Sequence, residues 1–520
     1  MIANRGEIAV RVIRACRDMG LGSVAVYSEC DRAARHVQMA DEACAIGPSE
    51  PAQSYLRIDR ILDAARRTHA DAVHPGYGFL AENARFASAC RDAGLTFIGP
   101  TPEAITLMGS KTSARQAAVA AGVPVVPGTD APFGADDPES DMAAAAKRIG
   151  FPLLIKAVAG GGGKGMRRVD RDEDLMGAIR AARSEADTAF GDSSVYFERC
   201  LIQPRHIEVQ LLGDQHGTVV PFVERECSIQ RRHQKVIEET PSPVVSPALR
   251  ASLTSAAAAV ARSVGYTSAG TIEFLVEADD SFWFLEMNTR LQVEHPITEM
   301  VTGIDLVEWQ IRIARGEKLD FDPATAMAPR GHAIECRIYA EDPDAGFVPS
   351  PGRITALRVP DGPWVRDDSG VEAGDEVPIY YDPMVSKLAV WGPDRTRALA
   401  RMRRALREYD VLGIKTTVPF FHWLLDQPAF KRAAFHTGYL EEVLQERQGE
   451  PFGTAGESEE DVAAIAVALK LASRLDPSGH GSQVIGHGDG HGTSAGRPAP
   501  QGDIRRHGWK VRSRLEGLRS

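Results

Sequence analysis

The residues best suited to chemistry fall in one stretch, Glu273–His295, which reads EFLVEADDSFWFLEMNTRLQVEH. Two apolar runs flank Ala278-Asp279-Asp280-Ser281, a polar break of the kind that joins hairpin strands. Side chains on a strand alternate faces, so counting by twos predicts Glu286, Asn288, Arg290, Gln292 and Glu294 in one row. Met287, Leu291 and Val293 fall behind that row, with Thr289 among them, and Glu273 lies on the partner strand. Two carboxylates and an amide suit a hard cation, because Mg²⁺ takes oxygen ligands and commonly shares them with phosphates. A strand with one solvated face carries the same alternation, and this stretch alone leaves both readings open.

Two further stretches carry reactive types. FPLLIKAVAGGGGKGMRRV, from Phe151, reads as strand, glycine loop, strand, with Gly160 to Gly163 ahead of Lys164-Gly165. Glycines let backbone N–H groups fold over phosphate oxygens without side-chain clash. The loop is not a Walker A motif, because Gly165 stands where Ser or Thr is needed and no helix is expected after it. A flexible hairpin tip is the alternative. The second stretch, ERECSIQRRHQKVIEETPSP, sets Arg225, Arg231, Arg232, His233 and Lys235 beside Glu224, Glu226, Glu238 and Glu239. Such density usually marks a solvated face. Here Ile229, Val236 and Ile237 thread it, which predicts partial burial.

The elements that must position these groups follow from periodicity. Residues 1–100 alternate strand and helix patterns: a strand end at Ile2-Ala3, a helix from Glu7 to Met19, strands over 23–27 and 43–46, and a helix over 55–67. This predicts a doubly wound α/β unit with a parallel sheet, without the GxGxxG of dinucleotide binders. The chain begins inside its apparent first strand. The expectation is either a start further upstream or a weakened first strand. Thr101-Pro102 predicts a helix start, a second helix runs from Lys111 to Ala121, and Pro127 to Pro138 reads as a hinge. Strands are expected over 195–201, 206–212 and 219–224, and helices over 247–264 and 305–315. A strand-rich unit begins near Arg330. It includes a basic helix from Arg395 to Tyr409 and a strand-like turn at GIKTTVPF. Glu457 to Leu475 predicts one amphipathic helix. A low-complexity linker follows, with His480, His487 and His491, and then a basic end with Trp509.

The 520 residues suffice for about three domains, with the apolar and charged fractions of an ordinary globular protein. A net charge of −11 gives no general attraction to nucleic acid or anionic membrane. The seven cysteines show no CxxC or ligand spacing, and no apolar run reaches membrane-span length. The N-terminus lacks an apolar signal region. The expectation is a cytoplasmic protein that binds neither nucleic acid nor membrane.

Taken together, IANRGEIA, HPGYGFLAEN, the glycine loop, RHIEVQ, ECSIQRRHQKVIEE, EMNTRLQVEHP and GHAIECRIYAEDP resemble, in kind and order, the biotin carboxylase subunits of acyl-CoA carboxylases, an ATP-grasp family. The AGGGGKGM form is closer to the propionyl- and methylcrotonyl-type subunits. The resemblance covers residues 1 to about 445. It implies an N-terminal doubly wound domain (1–105), an ATP-grasp core (106–315, with a glycine-rich lid over about 129–200) and a β-rich C-terminal domain (330–441). Residues 446–520 are then expected to be a helix and a largely disordered tail.

The implied roles follow residue by residue. Lys111, Lys156, Gly162, Gly163, Lys164, Glu198, Leu201, His206, Gln230 and His233 match ATP-binding positions. Glu273, Glu286 and Asn288 match the positions for Mg²⁺ or Mn²⁺. Lys235, Arg290, Gln292 and Val293 match a bicarbonate pocket, with Arg337 and Tyr77 toward biotin. Glu294 matches the base, and Arg290 the group that steadies the biotin enolate, with Lys235 beside them as the third catalytic position. None of the twelve methionines adjoins a lysine, so the biotin is expected on a separate biotin carboxyl carrier protein, or on a carrier domain from which this chain has been cut. The resemblance further implies a carboxyltransferase partner and a homodimer. Rival readings are another ATP-grasp ligase forming an acyl phosphate, or a non-catalytic ATP-binding scaffold.

Overall fold

The computed structural model describes residues 1–134, 136–158, 166–453, 465–468 and 470. The chain divides into two units, Met1–Thr454 and Ala455–Ser520. In the second, residues 465–468 and 470 are helical and exposed. The rest of the expected helix, the histidines of the linker and Trp509 lie outside the described residues. So do Gly160 to Gly163 and Lys164 of the glycine loop. Among the described residues no helix is long and apolar enough to cross a membrane.

The first hundred residues form a parallel layer ordered Glu42–Gly47, Val24–Ser28, Ile2, Ala72–Val73, Thr96–Phe97. Ile2 bridges Ala25 on one side and His74 on the other. The Ile2 amide donates to the Val24 carbonyl at 2.8 Å and the Ala3 amide to that of His74 at 2.9 Å. Two residues therefore knit the two halves of the layer. The helix Gly6–Asp18 buries Ile8, Val12 and Ile13 at its helical spacing.

A separate small sheet follows, ordered Met166–Val169, Leu153–Ala157, Val195–Arg199, all antiparallel. The helices Glu139–Ile149 and Leu175–Phe190 share its core, where Met142, Leu153, Ile155, Val169, Ile179 and Phe197 are buried. The expected hinge at 127–138 instead runs along this sheet. The Thr129 amide donates to the Phe197 carbonyl at 2.9 Å and the Phe133 amide to that of Val195 at 2.7 Å. Gly128 permits the approach, since a Cβ there would meet the Phe197 carbonyl at 2.4 Å.

The dominant element is a nine-stranded antiparallel sheet. Its order is Phe282–Asn288, Ser268–Val276, Arg205–Gly213, Arg225–Arg231, Gln234–Thr240, His332–Tyr339, Met384–Gly392, Val365–Ser369, with Val219–Pro221 beside Arg205–Gly213. The sheet does not stop where the C-terminal part begins: Gln234–Thr240 pairs with His332–Tyr339 through Ile237↔Cys336 to Thr240↔Ala333. The helix Pro247–Ser263, capped by the Ser246 hydroxyl, covers one end of the sheet, and Arg395–Glu408 and Val418–Asp426 cover the other. The segment expected as a strand-like turn at GIKTTVPF is the start of the Val418–Asp426 helix, where Pro419 occupies the first turn.

Candidate active site

The hairpin predicted at 273–295 forms, with Glu273 directly opposite Glu286 and Thr271 opposite Asn288. The predicted single row is true only to Asn288. Thr289–Val293 is loop, and Glu294 caps the helix His295–Thr302, which Pro296 opens. Residues from Arg290 onward reach the site by hydrogen bonds instead. The Arg290 guanidinium donates to Asn288 Oδ1, Gln292 Oε1 and Glu82 Oε2, each at 2.9 Å. Glu82 also accepts the Thr289 amide at 2.9 Å, fixing the entry to the loop.

Lys235 is the hub. Its ammonium meets Glu208 at 2.5 Å, Glu273 at 2.8 Å and Glu294 at 2.8 Å, each carboxylate arriving from a different segment. Burial alone would lower its pKa, but the three carboxylates outweigh burial and hold it well above the ordinary lysine value. Glu294 has no exposed side chain, and its second oxygen accepts from Arg337 at 2.9 Å. Burial would raise this carboxyl; Lys235, Arg337 and Arg225 together hold it well below the carboxylate range. Arg337 also meets Glu238 at 2.7 Å. Arg225, wholly buried, donates to Glu208, Gln210, Thr298 and Thr271, which fixes Glu208 in turn.

Glu273 lies 3.0 Å from His206 Nε2 and accepts from Asn288 at 2.8 Å. Lys235 and His206 overcome the effect of burial and keep it ionised. Its charge, with burial, raises the pKa of Glu286 across the hairpin. Gln230 Nε2 lies 2.9 Å from His206 Nδ1, on the side of the ring away from Glu273. His233 sits in a two-residue turn between Arg225–Arg231 and Gln234–Thr240. Both turn residues are left-handed, Arg232 at φ 51° and His233 at φ 65°, at a cost of about 1–2 kcal/mol each for non-glycine residues.

Lys235, His206, Glu273, Glu286, Arg290 and Arg337 line a cleft of about 660 Å³ together with Asn4, Tyr77, Phe79, Tyr381 and Met384, while Glu294, Glu208 and Arg225 lie buried behind that lining. The predicted Lys235, His206, His233, Glu273, Glu286, Asn288, Arg290, Gln292, Val293, Arg337 and Tyr77 all open onto it. Lys156 pairs with Glu198, which also lies 3.6 Å from Arg115. Lys111, at the start of its helix, is lowered by burial, with Glu286 and Glu198 acting in the opposite sense. Leu201 is buried beyond the end of Val195–Arg199 and does not line the cleft. Glu208 and Glu82 were missed by the sequence reading. The alternation His206, Glu208, Gln210 in RHIEVQ was the available signal for the first. Glu82 was visible in HPGYGFLAEN, but nothing in its spacing marked it.

An acidic hairpin and a lysine–carboxylate hub on an antiparallel sheet, beside a small sheet carrying the glycine loop, define an ATP-grasp ligase. The comparisons agree. The model "Carbamoyl-phosphate synthase L chain, ATP binding domain" matches residues 110–321. "Biotin carboxylase, N-terminal domain" matches 1–105 and "Biotin carboxylase C-terminal domain" matches 335–442. Biotin carboxylase of Nostoc sp. is 51% identical over 443 residues, 85% of this chain and 98% of the relative. Biotin carboxylase 2 of Bacillus subtilis is 51% identical over 447 residues, covering 85% of this chain and 99% of the relative. The biotin carboxylase domain dimer of Hydrogenobacter thermophilus 2-oxoglutarate carboxylase, solved with MgADP, ADP and bicarbonate, superposes with TM-score 0.81 at 45% identity. It covers 88% of this chain and 98% of that one. The chain belongs to the biotin carboxylase family, the ligases that carboxylate biotin with bicarbonate at the expense of ATP.

Proposed function

We propose how the residues of this chain divide that reaction. The observation that carries the reading is the Lys235 hub, with Glu294 held between Lys235 and Arg337. Bicarbonate binds among Lys235, Arg290, Gln292 and the Val293 backbone. Its arrival draws Lys235 and Arg337 away from Glu294, so the carboxylate, ionised at neutral pH, gains basicity as the proton to be taken comes within reach. Glu294 removes that proton while the bicarbonate oxygen attacks the γ-phosphorus of ATP. The bond from that phosphorus to the bridging oxygen breaks, giving carboxyphosphate and ADP.

Lys111, Lys156 and His206 hold phosphates, and Glu198 borders the adenine. Glu273, Glu286 and Asn288 would hold Mg²⁺ or Mn²⁺: the donor set is all oxygen and its two carboxylates stand opposite each other in register. That ion would neutralise charge on the phosphates. Carboxyphosphate then yields CO₂ and phosphate. The phosphate just released takes the N1′ proton of biotin, Arg290 stabilises the ureido oxyanion, and nitrogen attacks CO₂ to form the new C–N bond. We further propose that the biotin arrives on a separate carrier protein, that a carboxyltransferase uses the product, and that the chain works as a homodimer.

The test is phosphate release from ATP with bicarbonate and free biotin. Wild type should respond to biotin, and Glu294→Gln should lose about 10²–10⁴-fold in rate. A folded wild type that ignores biotin would move the assignment to another ATP-grasp ligase.

A further inference from the structure

Lys387 lies mid-strand in Met384–Gly392, among Val385, Leu388, Ala389 and Val390, with none of its side chain exposed. A lysine is costly to bury unless its charge and protons are met. Its Nζ donates to the Val293 carbonyl at 3.0 Å and lies 3.1 Å from Glu7 Oε2. The Tyr77 ring is 5.7 Å away. Three separate stretches thus converge on one ammonium: the first helix, the HPGYGFL turn and the loop that ends at Glu294.

Val293 immediately precedes Glu294, so the orientation of its peptide sets the direction in which the Glu294 side chain leaves the backbone. At the other end of that loop Glu82 binds the Thr289 amide, and in its middle His295 Nδ1 meets the Gln292 carbonyl at 2.8 Å. Lys387 supplies the hold at the end nearest the carboxylate. The Glu294 oxygens then face Lys235 and Arg337 at 2.8 and 2.9 Å. We infer that Lys387 is a positioning residue for this reaction: it anchors the Val293 carbonyl and thereby aims Glu294 at bicarbonate. It touches no reacting atom. The inference rests on the function proposed above.

The competing account is that Lys387 merely neutralises Glu7. Lys387→Met strands Glu7 and also takes away a charge that faces the buried Asp368 and Glu335, whereas Glu7→Gln/Lys387→Met removes the Glu7 pair at nearly constant volume. Glu7→Gln alone leaves Lys387 on Val293. The readouts are thermal midpoint, ATP affinity, ¹³C-bicarbonate affinity by NMR titration, and biotin-dependent phosphate release. The double variant should regain most of any lost midpoint and bind ATP normally. Its bicarbonate affinity should still fall about tenfold and its turnover about 10–100-fold, since misplacement by an ångström carries a penalty of that order. Glu7→Gln should keep bicarbonate affinity close to wild type. A double variant with wild-type bicarbonate affinity, or a Glu7→Gln that loses as much as the Lys387 variants, would overturn the inference. Absent biotin turnover in wild type would sink the functional reading, while the bicarbonate titrations would still decide the role of Lys387.

Discussion

The bicarbonate side and the nucleotide side of the cleft are built differently. On the bicarbonate side, Glu208, Glu294, Arg225 and Lys387 have no exposed side chain, and every charge is met by another. Glu208, Arg225 and Lys387 stand on strands of one continuous sheet, and Glu294 stands at the start of the helix His295–Thr302. On the nucleotide side, Lys156 and Glu198 stand on a three-stranded sheet with its own core, and their side chains stay 15% and 13% exposed. In the proposed reaction Lys156 exchanges Glu198 for a phosphate. The difference follows the ligands. A small anion is best recognised by fixed charges that need no reorganisation. A large nucleotide must enter past a part that closes afterwards.

The largest expected effect tests the fixed side. Lys235→Met leaves three buried carboxylates facing one another. It should abolish turnover and lower stability by about 3–5 kcal/mol, read by denaturant unfolding. A stable variant would show that the cradle reorganises. The next tests the other side: Lys156→Met should weaken ATP binding at least about tenfold in calorimetry yet shift stability by no more than about 1 kcal/mol. Glu198 keeps Arg115 at 3.6 Å in that variant. A large stability loss would erase the contrast.

The smallest effect concerns pH. Burial raises the Asp367 carboxyl to about 7. With a folded pKa above the unfolded value, the stabilising contribution of its proton is full below about pH 4 and is lost as pH rises through 7. Asp367→Asn should therefore flatten the fall of unfolding free energy between about pH 4 and 7. An unchanged slope would assign the pH dependence to the buried carboxyls nearer the cleft, Glu7 and Glu238, both also raised to about 7 by burial.

Much of this was legible from residue types. The hairpin, its opposed Glu273 and Glu286, and the alternation of the first domain follow from period and turn chemistry. Counting by twos failed after Asn288, because Pro296 starts a helix and ends any strand before it. Lys387 was equally visible, a lone lysine in the apolar run VSKLAVW. What made it legible only in three dimensions is distance along the chain: its partners are Glu7 and Val293. Such pairings depend on topology, and periodicity carries no information about which strand lies beside which.

The continuity of the nine-stranded sheet has a practical consequence for anyone dissecting this molecule. Division before Arg330 looks natural from the chain, yet it would strip His332–Tyr339 from the side of Gln234–Thr240. A central strand would become a bare rim with unpaired amides and carbonyls, a template for self-association. Arg337 and Lys387 would leave with the severed piece. Fragment expression should therefore yield aggregates rather than a nucleotide-binding module, and insertions are better tolerated in exposed turns such as Ala278–Ser281 than at that seam.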